Sequence, residues 1–213
     1  MHRERDPYVE RYFEKTVKYV HKSTELEDLE KELPTIVFDD NYLKNLEERV
    51  KSKREKAANI LFMLNRLVLI ERYRSPIHES LVDRVERLIK EWREKTKDYE
   101  KIYREGVQIV QEIQKLTERQ KTLRFADLEY SMLLTLEKWF GDSDGVLRDV
   151  KELSERLKQY MFPGWAAQPT ARRRVEAELR RFVRRYVRKG LSMEQINKLY
   201  DELLKDVKTY GIQ

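Results

Sequence analysis

From Val175 to Val207 the apolar residues recur at steps of three and four, with a single break at Gly190. Steps of three and four follow the 3.6-residue turn of a helix, whereas a half-buried strand needs steps of two. Val175, Leu179, Phe182, Val183, Tyr186 and Val187 therefore form one stripe of a helix. Arg173, Arg174, Arg180, Arg181, Arg184, Arg185 and Arg188 fall on the other side. A second helix repeats the spacing through Ile196, Leu199, Tyr200, Leu203, Leu204 and Val207. The boundaries are also written in the residues. Thr170, after Pro169, is the expected N-cap of the basic helix, and Gly190 stands where a helix stop takes positive φ. Ser192 and Gln195 have the spacing of a capping box, with Leu191 and Ile196 placed to staple it. The reading is a helix hairpin whose apolar stripes face each other or a common core.

The same period extends over most of the chain. Asp6-Pro7 opens a stripe through Val9, Phe13, Val17 and Val20, and Ser23 caps a short helix that Pro34 ends. Asp39 or Asp40 opens a long pattern through Leu43, Leu46, Val50, Ala57, Ile60, Leu61, Leu64, Leu67 and Val68. Its portion from Ala57 to Ile70 is apolar on most sides and predicts a central buried helix. Further helices are expected after Ser75-Pro76, after Asp98, from Phe125 to Gly141, and, after the GDSDG stretch, through Leu147 to Met161. Gly106 inside one of them predicts a close helix crossing. Only 6 Gly and 5 Pro in 213 residues suit long helices better than a sheet with many tight turns. The predicted fold is all-α, a multi-helix array of about nine helices ending in a basic hairpin. One short extended segment is expected at Ile36–Phe38. A single domain is expected over 1–213, with a subdomain hinge near 119–124 dividing it into 1–121 and 122–213, because Arg119 to Thr122 is charged and poor in apolar residues.

Charge is unevenly placed. Nine Lys or Arg stand against Glu176 and Glu178 between Thr170 and Gly190, a local excess of seven where the whole chain carries +6. A cationic concentration on one helix points to an acidic or nucleic-acid partner. The competing reading is a solvated arginine face on a heat-stable protein, consistent with 39% charged residues. The absence of Cys excludes disulfides and thiolate metal sites and fits a reducing cytoplasm. The first residues lack the apolar core of a signal peptide, and no 18-residue apolar run exists, so no membrane partner is expected.

Catalytic signatures are missing. No Gly-Lys-Ser/Thr triplet or glycine-rich dinucleotide turn is present, so no cofactor is implied. His2, His21 and His78 have no second ligand at helical spacing and read as surface residues. Asp142, Asp144 and Gly145 read as a turn with helix capping, since the other oxygen ligands of a calcium loop are missing. The many carboxylates lie among Lys and Arg and read as solvated ion pairs. In the turn FPGWAAQP, Phe162 and Trp165 plug the core, or Trp165 serves as an aromatic anchor for a partner.

Three stretches resemble the C-terminal helical region of the restriction (motor) subunit of type I restriction–modification enzymes, in its archaeal-like form. They are ILFMLNRLVLIERYRSPIHESLVDRVERLIKEWREKTKDYEKI (Ile60 to Ile102), LSERLKQYMFPGWAAQPTARRRVEAELRRFV (Leu153 to Val183) and KGLSMEQINKLYDELLKDVKTYG (Lys189 to Gly211). In that family the nuclease and the ATP-driven translocase lobes lie upstream of this region, and their motifs are absent here. The resemblance implies a non-catalytic domain that docks the motor subunit on the methyltransferase and specificity subunits. It brings no catalytic residues, and it leaves open whether the arginine face meets duplex DNA or an acidic subunit surface.

A second reading is a free-standing nucleic-acid-binding helical protein, in which Arg173, Arg174, Arg180, Arg181, Arg184, Arg185 and Arg188 neutralise phosphates. A hydrolase using scattered carboxylates is a third, weakened by the lack of any visible pair.

Overall fold

The computed structural model describes residues 36–94 and 98–211; the helices expected before Pro34 lie outside them. The described residues form an all-α fold with nine α-helices and no strand. The chain divides into two compact units, 1–117 and 118–213.

In the first unit, α1 (Tyr42–Arg49) and α2 (Lys53–Leu64) replace the single long helix expected from Asp39 or Asp40. Asp39 forms a turn instead: its carboxylate accepts the Asn41 N–H at 2.9 Å and its carbonyl accepts the Tyr42 N–H at 3.1 Å. Val50 and Ser52 are extended (ψ 123° and 131°), which breaks the helix while leaving the apolar register of Leu46 and Val50 buried. Helix α2 is the buried helix of this unit, with Ala57, Ala58, Ile60, Leu61 and Leu64 at most 1% exposed. Its continuation departs from expectation. The backbone widens to a π-helical turn at Asn65–Ile70 and then tightens to a 3-10 turn at Arg72–Arg74. These changes of twist rotate Ile70 outward, to 55% exposure, although its sequence neighbours Val68 and Leu69 stay buried.

Ser75 caps the short α3 (Pro76–Ser80) by accepting the Ile77 N–H at 3.2 Å, with Pro76 at the first helical position. After a break at Leu81, α4 (Val82–Trp92) buries Val85, Leu88, Ile89 and Trp92. Asp98 starts α5 (Tyr99–Leu123) by accepting the Lys101 N–H at 3.0 Å. The segment Ile36–Phe38 forms no strand; Phe38 tilts onto the Tyr42 ring at 5.6 Å while Val37 is 71% exposed.

The second unit holds α6 (Asp127–Phe140), α7 (Asp144–Lys158), α8 (Pro169–Arg184) and α9 (Met193–Tyr210). Helix α6 packs on α7 and α9, and α8 packs on the same two, so four helices close around one core. Each contributes a buried stripe: Met132, Leu133 and Leu136; Val150, Leu153 and Leu157; Val175, Leu179 and Phe182; Leu199, Leu203 and Val207. Burying one such side chain is worth about 1.5–3 kcal/mol, which is why the two stripes of the basic hairpin turn to a shared core. Ser143 caps α7 by accepting the Val146 N–H at 3.3 Å, so the GDSDG stretch is a capped turn.

This core also contains carboxylates. Asp206 of α9 is 8% exposed and accepts the Ser131 hydroxyl and the Thr135 hydroxyl of α6, each at 2.7 Å. Glu129 accepts the Ser154 hydroxyl at 2.8 Å, and Glu202 accepts the Trp139 indole N–H at 2.7 Å. These bonds run between helices; Glu129 and Glu202 also keep ion pairs with the exposed Lys158 and Lys138, as the sequence suggests.

Candidate interaction face on the basic helix

Helix α8 begins at Pro169, with Gln168 as its cap residue, two residues earlier than the Thr170 cap expected from sequence. Pro169 occupies the first helical position, where its missing N–H costs no hydrogen bond. Ala171, Val175, Glu178, Leu179, Phe182 and Val183 are buried. At Arg185 the backbone tightens to a 3-10 turn, Arg185–Lys189, entered through Arg184 (φ −59°, ψ −24°). Tyr186 remains buried at 1%, but Val187 leaves the apolar stripe and is 45% exposed.

The stop matches its sequence signature. Gly190 takes φ 93°, its N–H donates to the Val187 carbonyl at 3.1 Å, and the Leu191 N–H donates to the Tyr186 carbonyl at 3.3 Å. The capping box follows: Ser192 Oγ accepts the Gln195 N–H at 3.2 Å, and Gln195 Oε1 accepts the Ser192 N–H at 2.8 Å.

All seven arginines singled out in α8 and its 3-10 extension are exposed, but they divide into two groups. Four are engaged within the unit. Arg174 lies 5.6 Å from the Tyr160 ring centre and Arg180 lies 4.5 Å from that of Tyr200. Arg181 donates to Glu178 at 2.5 Å. Arg185 donates to Glu152 of α7 at 2.9 Å and covers the Phe182 ring at 4.8 Å. Arg173, Arg184 and Arg188 have no ion pair or ring contact among the described residues.

Two carboxylates organise the engaged group. Glu178 is 8% exposed on the core side of α8 and faces Arg181 and, at 4.0 Å, Arg156 of α7. Glu152 is held below the usual carboxylate range by its hydrogen bond from Arg185, aided by Arg156. Burial and the hydrogen bond to Asp149 at 2.6 Å push the Tyr186 phenol far up, so it stays a neutral donor between α7 and α8. By charge alone Glu178 is only an offset to the basic residues of the helix. Its signal was positional, since at about 100° per residue it falls beside Ala171, Val175 and Phe182.

Trp165 stands apart from the arginines. Gly164 takes φ 82° and turns the chain so that Trp165 heads a 3-10 turn, Trp165–Ala167, with the indole only 2% exposed. It is a core plug, and Phe162, at 39% exposure, is the aromatic of that turn that reaches solvent. A partner contacts Trp165 itself only if the turn opens.

His78 is half-buried, not a surface residue as its sequence context suggests: its Nδ1 is buried without a hydrogen-bond partner, and burial lowers its pKa. Among the described residues no three His, Asp or Glu side chains gather as a metal site, and no helix is long and apolar enough to cross a membrane. No known family, no curated protein and no solved structure matches this chain.

Proposed function

We propose that this chain is a helical assembly domain of the kind found at the C-terminal end of type I restriction motor subunits, presenting α8 to a polyanionic partner. In this reading it catalyses nothing itself, needs no cofactor and works in the cytoplasm, docked on methyltransferase and specificity subunits, with duplex DNA as a further contact. The observation that carries it is the division of the arginines. Arg173, Arg184 and Arg188 are exposed and unpaired on a helix whose other arginines are occupied within the unit. Unpaired arginines on a rigid helix bind carboxylates or phosphates with little ordering cost.

Two measurements test this. The first is co-elution with the methyltransferase–specificity core, and the second is duplex binding as a function of salt. Replacing Arg173, Arg184 and Arg188 by Gln should weaken both interactions. If all three meet phosphates, the slope of log K against log salt should shrink by about 2.7. Absence of both interactions in the unaltered chain would end the proposal. Salt-dependent duplex binding without co-elution would favour the free-standing nucleic-acid-binding reading, which the same unpaired arginines support.

A further inference from the structure

We infer that the C-terminal end of α8 is a docking face for an acidic amphipathic segment of a partner protein. The inference rests on the reading of α8 as a helix that faces polyanions, and it names which polyanion. In a 3-10 turn, residues i and i+3 lie over one another. The tightening at Arg184 therefore sets Val187 above Arg184, on the outward side of the helix. Val187 is 45% exposed, and Met193, just beyond the Gly190 stop, is 61% exposed. Arg184 and Arg188 flank Val187 and have no partner among the described residues. The carboxylate nearest to Met193 in sequence is Glu194, which is exposed.

Two unpaired cations and two exposed apolar side chains thus lie within ten residues of chain around the Gly190 stop. A duplex approached through its phosphates would use the arginines and gain nothing from Val187 and Met193. A helix with a Leu stripe bordered by Glu or Asp uses both. Its apolar side chains cover Val187 and Met193, while its carboxylates take bidentate hydrogen bonds from Arg184 and Arg188. Met and Arg are also the residue types enriched where proteins meet proteins. The departure of Val187 from the buried stripe gives this face its apolar component.

The test uses the full chain and two probes: a helical peptide of about 18 residues with Leu at positions i, i+3, i+4 and i+7 and Glu at the flanking positions, and a duplex of about 20 base pairs. Two double variants are compared, Val187→Ser with Met193→Ser, and Arg184→Gln with Arg188→Gln. All four side chains are exposed, so neither variant removes core packing. The peptide should bind the unaltered chain and bind each double variant about tenfold more weakly. Any duplex binding should fall only in the arginine variant. Failure of the peptide to bind, or peptide affinity unchanged in the Val187 and Met193 variant, would overturn the inference. Duplex binding lost in the arginine variant would then leave the polyanion reading standing, whereas binding of neither probe would remove both.

Discussion

Gly106 of α5 lies so close to Ile60 of α2 that a Cβ at position 106 would stand 2.6 Å from Ile60 Cγ2. Ile60 is fully buried, and its β-branched Cγ2 cannot swing away without an unfavourable χ1. The crossing of these two helices therefore requires glycine at 106, against a helix-propensity cost of about 1 kcal/mol. Gly106→Ala should lower stability by up to about 2 kcal/mol, the overpacking penalty of about 1–3 kcal/mol less the propensity gain of about 1 kcal/mol. Denaturant unfolding of Gly106→Ala, Ile60→Ala and the double variant would show it: the penalty at 106 should vanish once Ile60 is trimmed. Additive losses would place the strain elsewhere.

Asp206 holds α9 to α6 through the Ser131 and Thr135 hydroxyls. Asp206→Ala leaves two hydroxyl donors in a buried site and should cost about 2–4 kcal/mol in urea unfolding. Trimming Ser131 and Thr135 to Ala as well should recover part of the loss, because no donor is then left without an acceptor.

Arg124 takes φ 54°, the left-handed region, at the turn between α5 and α6. Its N–H donates to the Lys121 carbonyl at 3.0 Å and the Phe125 N–H donates to Gln120 at 3.3 Å, the same stop that Gly190 makes after α8. Arg124→Gly should therefore raise the thermal midpoint, by about 1 kcal/mol of stability. A midpoint that falls would show that the arginine side chain contributes more than its backbone costs.

Burial holds His78 below its ordinary pKa of 6.5, opposed by its hydrogen bond to the Glu71 backbone and by the Glu71 charge. With the folded pKa below the unfolded one, the unfolded chain binds the extra proton first. Stability is then full above about pH 6.5 and declines as pH falls toward the folded pKa. Thermal melts between pH 5 and 8 should show this decline, and His78→Leu should flatten it. A slope unchanged in that variant would assign the effect to other groups. At lower pH the same melts should report Glu129. Burial raises its pKa, but hydrogen bonds from Ala126, Ser154 and Lys158 outweigh that and lower it overall, so its stabilisation is lost as those bonds are protonated away.

The sequence by itself determined the helical class, the stripes of the basic hairpin, the Gly190 stop, the Ser192–Gln195 box and the close crossing at Gly106. Each of these follows from local rules: a 3.6-residue period, a backbone dihedral that only glycine adopts at no cost, or a cap reaching three residues along the chain. Tertiary structure decided what local rules cannot see. It moved the start of α1 past Asp39, widened the backbone at Asn65–Ile70, turned Ile70 and Val187 to solvent, and drew Asp206 and Glu178 into the core. It also sorted equivalent arginines into engaged and unpaired groups, because that division depends on which residues the neighbouring helices bring near. Glu152 and Tyr200 are 33 and 20 positions away in sequence from Arg185 and Arg180, the residues they meet. Periodicity specifies which side of a helix is polar, whereas packing specifies which of its charges are satisfied.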